Sequence, residues 1–200
     1  MIKWEAQIRP KEFGGLGFLN VRVTNVCLLA KWIDKLERGD SSLCCSLLRN
    51  KYLGDKSIFH KNRKGSQFWR SLLDVREWYQ RGCSIKIKAG LQTRFGHDCW
   101  LGNCPLKISF PKLFNITSNP DIAVAEAFVN GQWHIEFRRQ VVGDLLDEWE
   151  DLLSHLSEVE LSEGRDEVFW ALERTNKYSA RSLYRLMTSG GMIDRHMLLI

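Results

Sequence analysis

The chain of 200 residues is 44 % hydrophobic and 26 % charged, which excludes wholesale disorder and leaves room for one ordinary domain or two small ones. No apolar run approaches the roughly 18 residues a membrane helix needs, and Met1-Ile2-Lys3-Trp4-Glu5 lacks a signal peptide's charged-then-apolar pattern, so neither a membrane nor a secreted protein is expected. The net charge of +5 is lopsided: residues 1–100 hold 19 Lys/Arg and 9 Asp/Glu (19 − 9 = +10), residues 101–200 hold 10 and 15 (10 − 15 = −5).

Arg9-Pro10-Lys11-Glu12-Phe13-Gly14-Gly15-Leu16-Gly17 opens the chain as a turn-rich segment, because Pro and three Gly interrupt regular structure. From about Val21 the apolar residues recur at three-and-four spacing. Val23, Val26, Cys27, Ala30, Ile33 and Leu36, widened by Leu29 and Trp32, predict a helix stopped at Gly39. Ser41 or Ser42 can cap a second helix bearing Leu43, Leu47, Leu48 and Tyr52, which ends near Gly54. Ser66 can cap a third, whose Trp69, Leu72, Leu73 and Arg76 share a face before Gly82. The period then drops to two. Ile85 and Ile87 alternate with Lys86 and Lys88, Ala89-Gly90-Leu91-Gln92 supplies a turn, and Thr93 and Phe95 return as a partner strand.

Residues 97–120 contain three prolines and read as ordered loop. Residues 122–129 are expected as a short helix and 131–135 as a short extended piece. Leu145, Leu146, Trp149, Leu152, Leu153 and Leu156 make a strong amphipathic helix with acids on its other side. Residues 168–172 and 177–179 suggest a hairpin around Thr175-Asn176, and a helix through Leu183, Tyr184 and Leu186 closes at Gly190-Gly191. The fold class predicted is α+β, mainly helical with one or two short β-hairpins. The chain divides into a basic helical region (1–82), a hairpin and ordered loop (83–120), an acidic helical region (121–189) and a tail (190–200).

Little in this sequence points to an active site. Gly15-Leu16-Gly17 begins like a dinucleotide fingerprint, but Asn20 replaces the third glycine and no apolar strand precedes it. His97, Cys99 and Cys104 form the one close cluster of soft metal ligands, yet tetrahedral zinc needs a fourth, and neither Cys83 nor His60 brings a partner. The six cysteines, Cys27, Cys44, Cys45, Cys83, Cys99 and Cys104, show no disulfide spacing and are expected reduced, in an intracellular setting, nuclear or cytoplasmic. Asp144, Asp147, Glu148, Glu150 and Asp151 fall on the polar side of one helix, whereas two-metal sites draw acids from several elements. There is no G-x-S-x-G and no phosphate loop. No enzyme, cofactor or small-molecule substrate is expected. The Lys61-Asn62-Arg63-Lys64 run, flanked by Gly54 and Gly65, is a candidate phosphate contact.

A series of motifs gives the chain a kinship. Trp4-Glu5, Arg9-Pro10-Lys11-x-x-Gly14-Gly15-Leu16-Gly17 and Asn25-x-x-Leu28-Leu29-Ala30-Lys31-Trp32 come first. Lys51-Tyr52, Ser66-x-Phe68-Trp69, Gly90-x-x-Thr93-x-Phe95-x-x-Asp98-x-Trp100-x-Gly102, Pro105-Leu106 and Phe110-Pro111-x-Leu113-Phe114 follow. Trp133, Phe137-Arg138-Arg139, Asp166-x-x-x-Trp170 and Tyr178-Ser179-Ala180-x-Ser182-Leu183-Tyr184 complete it. In this order they resemble the region downstream of the polymerase in plant non-LTR (LINE-type) retrotransposon reverse transcriptases, over most of residues 4–187. Two positions depart from that pattern: Ile8, where a cysteine is common, and Gly96, where a tryptophan usually follows the phenylalanine.

The resemblance implies origin without catalysis. The polymerase's paired aspartates would lie upstream of Met1, and this chain has no Asp-Asp. The family's zinc-binding segment would begin near residues 166–186, with its ligands beyond Met187, so the tail reads as a truncation or frameshift. A non-catalytic connector is the expectation, with an inactive relic open reading frame as its alternative. In the connector the basic first half would contact RNA or DNA through Lys61, Arg63, Lys64, Lys86, Lys88 and Arg94. Trp69 or Phe95 could stack on bases, although core packing is the favoured reading of both. Faces that once packed on lost domains would make self-association plausible.

Overall fold

The computed structural model describes residues 16, 18–54 and 56–188. Apart from Leu16, the turn-rich opening lies outside them, as do Trp4, Ile8 and the 190–200 tail. Helices occupy 47 % of the described residues, beside two short two-stranded antiparallel sheets. The fold is mainly helical α+β, as the periodicity requires. It consists of two compact units: Met1–Cys83 with Phe169–Ile200, and Ser84–Val168.

In the first unit, α1 (Val21–Glu37) begins where the Asn20 side chain accepts from the amides of Arg22 (3.0 Å) and Val23 (3.3 Å). It ends at Gly39, whose φ of +76° lets Gly39 N–H reach the Leu36 carbonyl and Asp40 N–H that of Lys35. Helix α2 (Leu43–Leu48) runs on into a π turn, Arg49–Leu53, closed by Gly54. Its buried residues are Cys45 and, in the π turn, Leu53, so the predicted apolar stripe is corrected: Leu43 and Leu47 face water. Helix α3 (Gln67–Gln80) is capped by Ser66 Oγ, which accepts from Trp69 N at 3.3 Å. The core is aromatic. Tyr79 lies 5.3 Å from Trp170 and 5.9 Å from Tyr178, centroid to centroid. Its hydroxyl donates to Asp34 Oδ1 (3.0 Å), that of Tyr178 to the Cys27 carbonyl (2.6 Å), and Trp170 Nε1–H to Ser182 Oγ (2.7 Å). Buried aromatics thus keep their polar atoms satisfied. Gly82 makes room for this cluster, because a Cβ there would meet Trp170 Cη2 at 2.4 Å.

Strand β1 (Cys83–Lys86) and residues 93–95 do not form the expected hairpin. The second unit contains α4 (Leu106–Ser109), α5 (Pro111–Ile116), α6 (Val124–Ala127), β2 (Phe128–Val129), β3 (Gln132–Trp133) and α7 (Asp144–Leu156). Last comes β4 (Glu167–Trp170), and it is β4 that pairs with β1. Arg94 bridges to Ala123 instead. The expected loop at 97–120 also holds two short helices, because Pro111 stands in the first turn of α5, where its missing N–H costs nothing. The expected helix at 122–129 shrinks to one turn, followed by a hairpin. Asn130 (φ +52°) and Gly131 (φ +79°) make the tight turn that sets Phe128 opposite Trp133. The last described helix, α8 (Ala180–Thr188), belongs to the first unit and packs on α1.

Candidate nucleic-acid interface

The two units carry opposite charge. Ser84–Val168 holds 8 Lys/Arg and 14 Asp/Glu (8 − 14 = −6), which leaves the first unit 21 and 10 (21 − 10 = +11). A basic surface of that excess attracts polyanions through counterion release.

The six candidate residues fall into two groups. Lys61, Arg63 and Lys64 share the loop before α3 in the first unit. That loop is anchored: Arg76 Nη1–H donates to the Lys61 carbonyl (2.7 Å), and Ser66 N–H donates to the Tyr52 hydroxyl (3.2 Å). Those bonds from Ser66 favour the phenolate of Tyr52 and draw its pKa below the ordinary range. The Tyr52 ring lies flat on Trp69 at 4.6 Å. Arg63 meets Asp74 at 2.7 Å in an exposed pair, and Lys61 and Lys64 make no ion pair among the described residues. The second group, Lys86, Lys88 and Arg94, belongs to the second unit. Lys86 is exposed at the end of β1, and Lys88 Nζ contacts Glu167 Oε1 at 2.7 Å, which lowers the Glu167 pKa. Arg94 is committed to Asp98 (3.1 Å) and stands 3.9 Å from Asp121; its Nε is buried without a hydrogen-bond partner.

Both stacking candidates are core residues. Trp69 is 1 % exposed, and Phe95 is buried with Trp100 and Trp133 at 5.6 and 5.8 Å. An exposed aromatic on α3 is Phe68, 40 % exposed and edge-on to Trp32 at 5.7 Å. The available signal was its place beside Trp69: neighbours on a helix point about 100° apart, so a buried Trp69 turns Phe68 outward.

Each of the three soft ligands is engaged by other partners. His97 Nδ1 lies 3.3 Å from Lys107 Nζ, and its other nitrogen lies 3.5 Å from Asp121. Burial, then Arg94 and Lys107, hold its pKa below 6.5. Cys99 bonds Ser84 and the Gly102 carbonyl, and burial raises its thiol pKa; Cys104 contacts Ser109 Oγ at 3.0 Å. Among the described residues no group of three His, Cys, Asp or Glu is placed to hold a metal. On α7, Asp144 contacts Lys112 (3.3 Å), while Glu148 accepts from Leu113 N–H (3.1 Å) and so secures α5.

At Gly96, where the resembled family usually has a tryptophan, another ring occupies the space next to the backbone. The Phe114 ring fills it, with Cε2 2.5 Å from where a Cβ on Gly96 would be. The adjoining apolar cavity, lined by Phe95, Phe110 and Phe137 among others, is about 30 Å³. Ligand pockets run from about 300 Å³. No helix among the described residues is long and apolar enough to cross a membrane.

An uncharacterized mitochondrial protein of Arabidopsis thaliana is 31 % identical to this chain over 103 residues, which cover 50 % of the chain and 67 % of that protein. The chain belongs to its family. A second relative of this family member, also from Arabidopsis thaliana and named "putative ribonuclease H protein", is 24 % identical over 206 aligned positions. That alignment takes in 94 % of the chain but 31 % of the relative, so the chain spans about a third of that protein's length. No family model matches the chain, and no solved structure matches it.

Proposed function

We propose that the chain is a non-catalytic connector derived from a plant non-LTR retrotransposon reverse-transcriptase polyprotein, and that its basic first unit binds nucleic acid weakly and without sequence preference. The observation that carries this reading is the alignment of 94 % of the chain to 31 % of a longer relative whose name is that of a nucleic-acid enzyme. A segment of a polyprotein aligns in that way. The residues of the ordered motif series support it, because in the second unit they hold backbone in place. Asp166 Oδ1 accepts from the amides of Lys88 and Gly90 (both 2.9 Å), and its Oδ2 accepts from Thr93 Oγ1 (2.7 Å). Asp98 accepts from Arg94 N–H (2.7 Å), and the Phe95 carbonyl accepts from Trp100 Nε1–H (2.9 Å). Motif residues engaged in this way suit a scaffold better than an active site, and the absence of Asp-Asp from the sequence agrees.

Fluorescence anisotropy of the full chain with labelled RNA tests the reading. Binding at low salt should weaken about 10-fold or more between 50 and 200 mM salt if three or so phosphates are neutralised. A chain that melts cooperatively yet binds neither RNA nor DNA at 50 mM salt would leave the inactive relic as the reading.

A further inference from the structure

Resting on the nucleic-acid reading above, we infer that Phe68 and Trp32 form a stacking platform for an unpaired base, flanked by Lys31 and Lys35, so that the first unit takes single-stranded nucleic acid in preference to duplex. Phe68 stands on the outward side of α3 and is 40 % exposed. It is also held. Its ring meets Trp32 at 87° with centroids 5.7 Å apart, which fixes the plane it offers to solvent. An oriented aromatic with a free surface needs little reordering when a base lands on it.

The surroundings select an anion. Along the outer stripe of α1 come Arg22, Asn25, Leu28, Lys31, Trp32 and Lys35, with no acid among them. Leu28 is 54 % exposed and extends the apolar surface one turn beyond Trp32. Lys35 Nζ sits 5.6 Å from the Trp32 ring centroid and only 4.0 Å from Asp40, a long and partly exposed pair that a phosphate can replace. Asp34 is turned away from this stripe, toward Arg38 and Tyr79. Aromatic surface interleaved with lysines, on a unit of charge +11, matches an alternation of bases and phosphates. Preference for single strands follows from access: a base in a duplex already has both faces covered, whereas an unpaired base offers one to Phe68.

The test compares the full chain's binding to labelled oligo(dT) of about 20 nucleotides and to a mixed-sequence duplex of the same length. Wild type should bind the single strand more tightly at every salt concentration. Phe68→Ala should weaken single-strand binding about 5- to 100-fold and leave duplex binding unchanged. Phe68→Leu keeps apolar contact with Trp32, and so the fold, but has no ring; it should lose affinity equally, and Phe68→Trp should restore it. The double variant Lys31→Ala/Lys35→Ala should instead flatten the slope of log affinity against log salt by about 1.4 for the single strand. Equal binding of both strands, with a folded Phe68→Leu behaving as wild type, overturns the platform and leaves the wider reading standing. Failure of wild type to bind either strand at low salt removes both.

Discussion

The two units solve the problem of holding a fold in different ways. The first relies on long elements: α1 and α3 carry unbroken apolar stripes and close on a buried aromatic group of Tyr79, Trp170 and Tyr178. The second uses helices of four to six residues around one long α7, and its loops are pinned by single carboxylates, with Asp166, Asp98 and Glu148 each reaching backbone amides. Both units bury apolar area, and the second adds to its core a set of such points. The difference teaches where each should break.

The largest effect should come from the aromatic group. Trp170→Ala empties a fully buried site, removes the donor to Ser182 Oγ and should destabilise the first unit by about 3–5 kcal/mol, read as a fall in the urea midpoint. Asp166→Ala should cost less, about 1–3 kcal/mol, because its loss leaves two amides and a hydroxyl without their acceptor. Hydrogen exchange checks the contrast: the amides of Lys88 and Gly90 should lose protection while those of α1 keep theirs. If α1 loosens equally, the distinction between area and points fails.

The smallest effect is one of pH. His97 has its folded pKa below the unfolded 6.5, so the folded chain resists the proton that the unfolded chain takes up. Its contribution is therefore complete above pH 6.5 and lost as pH falls below 6.5 toward the lowered value. Urea midpoints measured between pH 7.5 and 5.5 should drop in wild type, and the part of that drop due to His97 should vanish in His97→Gln.

Legibility in the sequence follows the same division. Helices α1, α3 and α7 are predictable because a 3.6-residue apolar period runs through 13 to 17 residues, joined at α1 by the Gly39 stop and at α3 by the Ser66 cap and the Gly82 stop. The strands were recognisable but their partners were not. Ile85 and Trp170 belong to segments that local turns could have closed into separate hairpins, yet those segments pair with each other across about 80 positions of sequence. Period alone carries no information on such distant choices. The same limit applies to aromatic residues: Trp69 and Phe68 are adjacent letters, and only the rotation of the helix, fixed by what Trp69 packs on, sends one inward and one outward.

The placement of Trp170 also sets an order of events during synthesis. Residues 84–168 leave the ribosome as one continuous run and can close their core at once, whereas Tyr79, made earlier, waits until Trp170, Tyr178 and Leu183 emerge. Of the two units, the one begun earlier is therefore completed later, and while residues 84–168 are being made its helices stand with their inner faces uncovered, in need of shelter.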